Sequence, residues 1–539
     1  MVDEEKLLLT GDEAVGLAAK RLGVALGTGY PGTPSTEILE YFSEIGGKAQ
    51  WAPNEKVALE VGIGVAFAGA RALVTMKHVG LNVASDPLFA AAYTGSYGGL
   101  VIVSADDPGM ASSQNEQDNR RYAVAAGVPM FEPSDSQEAY DYTIAAFELS
   151  EKWQIPVLLR MTMRVCHSRT IVIPKKDLTP NKPLGYVKDA QTRVLIPAYA
   201  RFAHKRLRKK LGELKEWSEN CPFNFSIYKD KSHGIITSGI SYVHTGEAEP
   251  EASVLKLGFT YPLPIKKIAE FVSRVERCIV VEEGDPYLYE SIRASGINVD
   301  GKDESYRFGE LNVERVRNII HKKPESERQI PPGKPPQLCD GCQYRIVYDT
   351  LSRLGCIVSG DIGCYTLGVL PPFNAMDTCL CMGASIGVGL GLRHSLPEEK
   401  ARKVVSVIGD STFIHSGITG LVEMVYNPPP TGHVVIILDN QTTAMTGLQE
   451  HPGTGRKLNH EPTNRVVLED LVKAIGVKNL HIVEPRLGSD SFEKLLNESL
   501  NKEELTVIIA RRPCLLASKK LKKYQRCEDV IKEVSQDVK

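Results

Sequence analysis

Short runs of apolar residues alternate, along the first third of the chain, with segments whose apolar positions recur at helical spacing. The pattern predicts a helix over 10–22, a strand over 23–26 and a second helix over 35–45, with Thr33 as its N-cap and Pro34 in the first helical position. Further strands are predicted at 72–75, 100–104 and 157–160. Strands separated this regularly by helices form parallel sheets covered by those helices, so the chain is expected to be α/β. From about 180 to 230 the pattern changes. Prolines at 180, 183 and 197 precede Arg201, Lys205, Arg206, Arg208, Lys209 and Lys210, a linker carrying a basic helix with a solvated face or a docking patch for an acidic partner. A second α/β unit follows, with strands at 234–237 and 278–281 and a helix over 265–275. A third follows the joint at Pro331, Pro332, Pro335 and Pro336, with strands at 357–359, 404–408, 434–438 and 507–510. These shifts divide the chain into units 1–178, 231–316 and 337–516, joined by 179–230 and 317–336 and followed by a charged tail, 517–539.

At 539 residues the chain exceeds one ordinary core, and with 42% hydrophobic against 24% charged residues it can bury several. Lys and Arg number 64 against 66 Asp and Glu, which leaves no electrostatic footprint for a nucleic acid. Asp3, Glu4 and Glu5 stand where a secretion signal would be basic, so a cytoplasmic location is expected. The most membrane-like stretch, 57–76, is interrupted by Glu60 and Arg71 and reads as a buried helix, so no membrane span is expected. Eleven cysteines, an odd number, point to metal ligation or buried thiols rather than a disulfide framework.

Gly27, Gly29 and Gly32 form a literal G-x-G-x-x-G between a predicted strand and a helix. Pro31 and Pro34 remove N–H donors that a pyrophosphate would use, and no acid stands about 20 residues onward, so a dinucleotide fold is rejected. A tight turn presenting Thr33 and Ser35 fits better and can still meet an anionic group. In the third unit, strand 404–408 runs into Gly409-Asp410-Ser411, and strand 434–438 into Asp439-Asn440-Gln441-Thr442. Both strands deliver an oxygen ligand to the ligand-binding edge of a parallel sheet, a donor set suited to Mg²⁺ with phosphate oxygens completing it. Cys339-Asp340-Gly341-Cys342 alone is ambiguous among zinc, thiol exchange and iron. Cys364 and Cys514 each follow a strand of the same unit, and four such thiolates suit a 4Fe4S cluster, the alternative being reduced structural thiols. Cys379 and Cys381 lie nearby as competing ligands.

Gly409-Asp410-Ser411 with Asn440 about thirty residues later resembles the diphosphate motif of thiamine diphosphate enzymes, with Ser411 in place of the commoner second Gly. Asn54-Glu55, ahead of a small-residue helix ending in Gly69-Ala70, resembles their aminopyrimidine-binding half. Longer segments carry a narrower likeness: Gly29-Tyr30-Pro31-Gly32-Thr33-Pro34-Ser35-Thr36, Lys77-His78-Val79-Gly80-Leu81-Asn82, Gln114-Asn115-Glu116-Gln117 and Gly360-Asp361-Ile362-Gly363-Cys364-Tyr365. To about residue 516 the chain resembles the indolepyruvate ferredoxin oxidoreductase alpha subunits, of the thiamine diphosphate-dependent 2-oxoacid:ferredoxin oxidoreductase family.

That resemblance implies a thiamine diphosphate-binding fold of three doubly wound parallel-sheet domains: pyrimidine, transketolase C-terminal-like and diphosphate. It implies that Glu55, with Glu60 one turn later as its rival, bonds the cofactor's ring nitrogen and favours the tautomer that activates the thiazolium. Thr33, His78 and His415 would join Glu55 in catalysis, the two histidines as proton carriers or as structural residues. Asp410, Asn440 and the Thr442 carbonyl would hold Mg²⁺. Gly363, Gly383, Ala384, Ser385, Gly409, Ser411, Met445 and Thr446 would line the cofactor, with Met382 as an apolar wedge or a core residue. The implied reaction converts arylpyruvates such as indolepyruvate or phenylpyruvate, with coenzyme A, to aryl-acetyl-CoA and CO₂. Electrons would pass through the cluster at Cys339, Cys342, Cys364 and Cys514 to ferredoxin. A small beta subunit would complete the enzyme, as a dimer of alpha-beta units. Two departures matter. Many relatives end in a ferredoxin-like module with two Cys-rich runs, whereas here the final stretch holds Cys527 alone, so a separate ferredoxin or another subunit would take the electrons. Where pyruvate-specific relatives place an Arg against the substrate carboxylate, this chain has Asp106-Asp107-Pro108-Gly109, which argues against a small acid. The alternatives are a non-oxidative thiamine-dependent decarboxylase or carboligase, and a non-catalytic subunit retaining the fold.

Overall fold

The computed structural model describes residues 5–176, 178, 180, 183–325, 336–486 and 490–524. Pro331, Pro332, Pro335 and Cys527 lie outside them. The chain forms two compact units, Met1–Gln329 and Ile330–Lys539. Among the described residues no helix is long and apolar enough to cross a membrane, and all ten cysteines are free thiols.

Among its described residues the first unit holds a two-stranded antiparallel pair, Leu7–Thr10 with Arg169–Val172, and two larger sheets. The larger of these two runs, in spatial order, Phe259–Tyr261, Met130–Phe131, Val157–Thr162, Leu100–Asp106, Ala72–Lys77, Leu26–Gly29, Ala49–Trp51. Only the outermost pair, Phe259–Tyr261 with Met130–Phe131, is antiparallel. Leu100–Asp106 and Val157–Thr162 are buried at every position, as expected of central strands covered on both faces. The smaller sheet runs Arg277–Val281, Asp230–Thr237, Ala252–Leu257, Asn224–Ile227, with the last strand antiparallel.

Several elements differ from their expected places. The first helix is Gly11–Arg21, with Thr10 in a capping box with Glu13. The strand expected at 23–26 is Leu26–Gly29. Thr33 does not cap the second helix, which begins at Thr36. The Gly32 amide donates to the Thr36 hydroxyl at 2.9 Å and the Ser35 hydroxyl to the Gly32 carbonyl at 3.0 Å, closing a separate turn first. Gly27 and Gly29 lie inside the strand. A Cβ on Gly27 would meet Leu39 at 2.7 Å and one on Gly29 the Thr75 carbonyl at 2.5 Å, so these glycines serve packing. The basic run lies on helix Pro197–Ser218, which buries Ala203, Leu207, Leu211 and Leu214; Arg201, Lys205, Arg208 and Lys209 face out, while the half-buried Lys210 donates to the Gln154 carbonyl at 2.7 Å. Trp217 packs edge-on against Trp153 and Phe259, so this helix is part of the first unit's core.

The second unit is one six-stranded parallel sheet, in order Thr378–Cys379, Ile357–Gly360, Val404–Gly409, His433–Asp439, Leu505–Arg511, Asn479–Val483. Alternate residues divide between two cores. Val405, Val407, Val434, Ile436 and Ile508 face helices Gln343–Arg353 and Ser491–Leu500. Ile408, Val435, Ile437, Val507 and Ile509 face Ala384–Ser395, Ile418–Tyr426 and Leu468–Ile475.

Candidate active site

The strand order of the second unit brings four chain crossings to one carboxyl edge. Val404–Gly409 ends at Asp410, His433–Asp439 at Asn440, Ile357–Gly360 at Asp361 and Leu505–Arg511 at Arg512-Pro513-Cys514. Asp410 is buried, and its two oxygens accept from the Ser411 and Gln441 amides, both at 2.9 Å. Asn440 Oδ1 accepts from the Thr442 amide at 3.0 Å, and the Ser411 and Thr443 hydroxyls meet at 3.0 Å. Asp410, Ser411, Asn440 and Thr442 are thus gathered on adjacent strand ends. Burial and the charge of Asp410 push the Asp439 carboxyl up, although Arg511 bonds it at 2.6 Å. His451 Nε2, buried and without a hydrogen-bond partner, stands 3.4 Å from Asp410 Oδ2. A concentration of buried negative charge with hard oxygen donors fits a magnesium ion carrying phosphates.

The neighbouring turn is built to approach an anion closely. Asp361 accepts from the Ile362 and Gly383 amides at 2.9 Å and from the Ser385 amide at 3.0 Å, fixing the start of helix Ala384–Ser395. Gly383 has φ 88°, and a Cβ there would meet Ser416 Cβ at 2.5 Å, so glycine is required on both counts. Met382 and Ala384 are half-buried beside it and Ser385 is buried. His415 is buried in a π-helical turn, Phe413–Gly417, with Nδ1 2.6 Å from the Ser416 hydroxyl, next to Gly383. Gly363 donates to the Thr366 hydroxyl at 3.2 Å; Thr446 bonds Gln449 at 2.6 Å, and Met445 is exposed.

In the first unit, the carboxyl ends of Leu26–Gly29, Ala49–Trp51 and Ala72–Lys77 hold the other expected residues. Glu55 opens helix Glu55–Phe67, capped by Asn54, and is buried. A Cβ on Gly80 would lie 2.6 Å from Glu55 Oε1, so the glycine leaves the room that the carboxyl fills. Glu60 is on the surface, paired with Lys56. The half-buried Thr33 follows Gly32, which packs against Lys77; burial pushes the Lys77 ammonium down, against Asp107 and Glu55. His78 is buried with Nε2 3.0 Å from Asn115 Oδ1, while Nδ1 has no partner. Asp107 folds the following loop, accepting from the Ala111 and Ser112 amides at 3.2 and 2.9 Å.

Residues 17–198 match the family described as pyruvate flavodoxin/ferredoxin oxidoreductase, thiamine diphosphate-binding, and 361–510 match the thiamine pyrophosphate enzyme C-terminal TPP-binding domain. An indolepyruvate oxidoreductase subunit IorA of Archaeoglobus fulgidus is 41% identical over 95% of this chain and 87% of its own length. The chain belongs to the IorA family of indolepyruvate oxidoreductase subunits. The IorA of Methanothermobacter thermautotrophicus is 39% identical over the same 95% of the chain and 88% of its own. A solved 2-oxoglutarate:ferredoxin oxidoreductase from Magnetococcus marinus shares the fold, with TM-score 0.51 and 18% identity over 59% of this chain and 65% of that one. As an IorA-family member the chain is a subunit of a thiamine diphosphate-dependent 2-oxoacid oxidoreductase.

This IorA-family chain carries a further feature at the same edge. Cys339, Cys342, Cys364 and Cys514 line one cavity of about 90 Å³ with Leu338, Leu367 and Leu515, and Asn440 shares its wall. Burial and the proximity of Cys514, Cys342 and Cys339 push the Cys364 thiol up to about 11. Cys342 is raised for the same reasons. Cys379 and Cys381 do not line this cavity. Sequence reasoning did not foresee His451 or the role of Asp361. The acid-before-turn in Gly360-Asp361-Ile362-Gly363 was the one available signal for Asp361; His451 had none.

Proposed function

We propose that this chain is the cofactor-binding alpha subunit of an enzyme that oxidatively decarboxylates arylpyruvates, such as indolepyruvate or phenylpyruvate, to aryl-acetyl-CoA. The balance is one 2-oxoacid and one coenzyme A thiol giving one thioester, one CO₂ and one proton, with two electrons passed singly to ferredoxin. Bound thiamine diphosphate supplies the nucleophilic carbon and the electron sink for loss of CO₂. Glu55, buried and given space by Gly80, holds the proton that sets the tautomer of the pyrimidine ring. Asp410, Asn440 and the Thr442 carbonyl hold Mg²⁺, and the Gly383–Ser385 turn receives the diphosphate at a helix N-terminus. Gly363, Gly409, Ser411, Met445 and Thr446 complete that lining, with Met382 against the cofactor's apolar side. Thr33, His78 and His415 orient the substrate or move protons. Cys339, Cys342, Cys364 and Cys514 hold a 4Fe4S cluster that takes the electrons onward. A small beta subunit completes the assembly, the residues 231–316 serving as its transketolase C-terminal-like domain. The complex acts in the cytoplasm.

The observation that carries the oxidative reading is the convergence of four thiols on a cavity sharing Asn440. Anaerobically purified complex should contain about four irons per chain at this site, and Cys364→Ser with Cys514→Ser should remove them. With coenzyme A and a panel of aryl and alkyl 2-oxoacids, viologen reduction should be fastest with the aryl acids. Turnover without iron would favour a non-oxidative decarboxylase, and a burst restricted to pyruvate would overturn the substrate class.

A further inference from the structure

Helix Gly11–Arg21 turns its second residue inward. The Asp12 side chain is fully buried, and neither carboxyl oxygen has a nitrogen or oxygen hydrogen-bond partner; a weak thiol donor, Cys166, stands against it. No Lys or Arg pairs with it among the described residues, and a buried carboxyl with so little to meet it and no counter-charge is among the costlier arrangements in a fold. Its polar neighbours come from two other elements: Glu37 in the first turn of Thr36–Glu44, and Cys166 and His167 at the end of the short helix Met163–His167. One ligand atom each from Asp12, Glu37 and His167 lies within 4.8 Å of the other two. His167 Nε2 and Glu37 Oε2 are 3.7 Å apart, beyond a hydrogen bond. That is inside the ~4.2 Å that two bonds of about 2.1 Å to one ion can span. The Cys166 thiol is buried beside Asp12, but its sulfur is not among the ligand atoms that gather within 4.8 Å of one another.

Two carboxylates and an imidazole make a mixed O and N donor set. Mg²⁺ and Ca²⁺ select all-oxygen shells, whereas zinc and its first-row neighbours accept this mixture. We propose that Asp12, Glu37 and His167 form a binding site for a zinc-class divalent cation. The site is separate in sequence and in ligand type from the Asp410 and Asn440 pair, and does not depend on the substrate assigned above. An ion there ties the starts of two helices to the segment that follows strand Val157–Thr162. The Pro34 carbonyl lies against the His167 ring, so the ion also braces the turn that presents Thr33.

The test uses the anaerobically purified complex, stripped with a mild chelator and titrated with Zn²⁺ against a chromophoric competitor, with zinc and iron counted by mass spectrometry. Wild type should bind one zinc equivalent per chain that Asp12→Asn and Glu37→Gln each weaken at least ten-fold, while iron content stays unchanged. Glu37 is on the surface, so Glu37→Gln decides the matter even if Asp12→Asn folds poorly. Zinc held by the four thiols of the second unit is a background common to all three proteins. Failure of wild type to bind zinc beyond that background, or binding unchanged in Glu37→Gln, overturns the proposal.

Discussion

The two units hold their polar residues in place by different physical means. In the first, the loop after strand Leu100–Asp106 is anchored by buried charges: Arg160 bonds Asp106 at 2.9 Å and Glu132 at 2.8 Å, and Arg120 bonds Asp118 at 2.9 Å and Glu282 at 2.8 Å. In the second, the corresponding work falls to backbone amides donating to Asp361 and Asp410, and to a neutral relay in which the His433 ring meets the Ser406 hydroxyl, which donates to the Ser385 carbonyl. Charged anchors reach across long sequence separations and can join two sheets. Backbone and neutral anchors join neighbouring strand ends and turns of a single sheet. The first unit should therefore fail when a charge is removed, and the second when one is created.

The largest effect expected concerns the one buried acid of the first unit that is assigned to chemistry rather than to anchoring. Glu55→Gln keeps the shape that fills the space beside Gly80 but cannot exchange the proton. Turnover should fall by roughly 10² to 10⁴, the usual contribution of a placed acid–base group, with thermal stability little changed. Unaltered turnover would remove Glu55 from the mechanism and leave it an anchor like the others.

Arg120→Met tests the anchors themselves. The guanidinium is fully buried, also donates to the Glu283 and Asp285 carbonyls at 2.8 Å, and lies over the Tyr287 ring at 5.2 Å. Burial opposes the charge on Asp118, but Arg120 and Arg160 overcome it and hold that carboxyl well below its usual range. Methionine fills much of the volume but strips Asp118 and Glu282 of their direct guanidinium bonds while both stay buried, a change expected to cost about 3–5 kcal/mol. Denaturant titration of the subunit should show it, and a loss under 1 kcal/mol would mean that the charges are not the anchor.

Acid should reveal the opposite weakness in the second unit. Burial, reinforced by the charge of Arg393, pushes His433 from 6.5 down to about 3. Between those values the unfolded chain holds a proton that the folded chain refuses, so the contribution is fully present above pH 6.5 and is lost as pH falls toward 3. Two pH units below 6.5 the loss should reach roughly 3 kcal/mol. Amide exchange at pH 4.5 should rise in strand His433–Asp439 relative to strand Leu100–Asp106, and His433→Gln should flatten that dependence. A parallel rise in both strands, unaffected by the substitution, would assign the acid limb elsewhere.

The same contrast explains what could be read without coordinates. Asp410, Asn440, Cys364 and Cys514 follow strands that hydrophobic runs announce, so their arrival at one edge follows from a parallel sheet, whereas the C-x-x-C pair reaches it at the start of helix Gln343–Arg353. The family, the α/β class and the central strands were legible for that reason. The Arg120 anchor was not, because Glu282 lies far along the chain and nothing local marks the pair. Strand Phe259–Tyr261 escaped too: three residues at a sheet edge carry too little periodicity. Thr33 was misplaced as an N-cap because the hydroxyls of Ser35 and Thr36 close the turn before the helix starts. The helix Pro197–Ser218 was read by its charges, while its four buried apolar positions, one per turn, tie it to the core.

The smallest effect completes the comparison inside a single helix. Glu60 shares helix Glu55–Phe67 with Glu55 but faces solvent, paired with Lys56 one turn back. An exposed pair at this spacing is worth about 0.3–0.5 kcal/mol. Glu60→Gln should leave turnover within error of wild type and lower stability by no more than that amount. Salt should erase even this difference, because screening weakens an exposed pair in the parent to the level of the variant. A turnover loss in Glu60→Gln comparable to that of Glu55→Gln would show that burial does not separate the working acid from the ornamental one on this helix, and would transfer the assignment one turn along it.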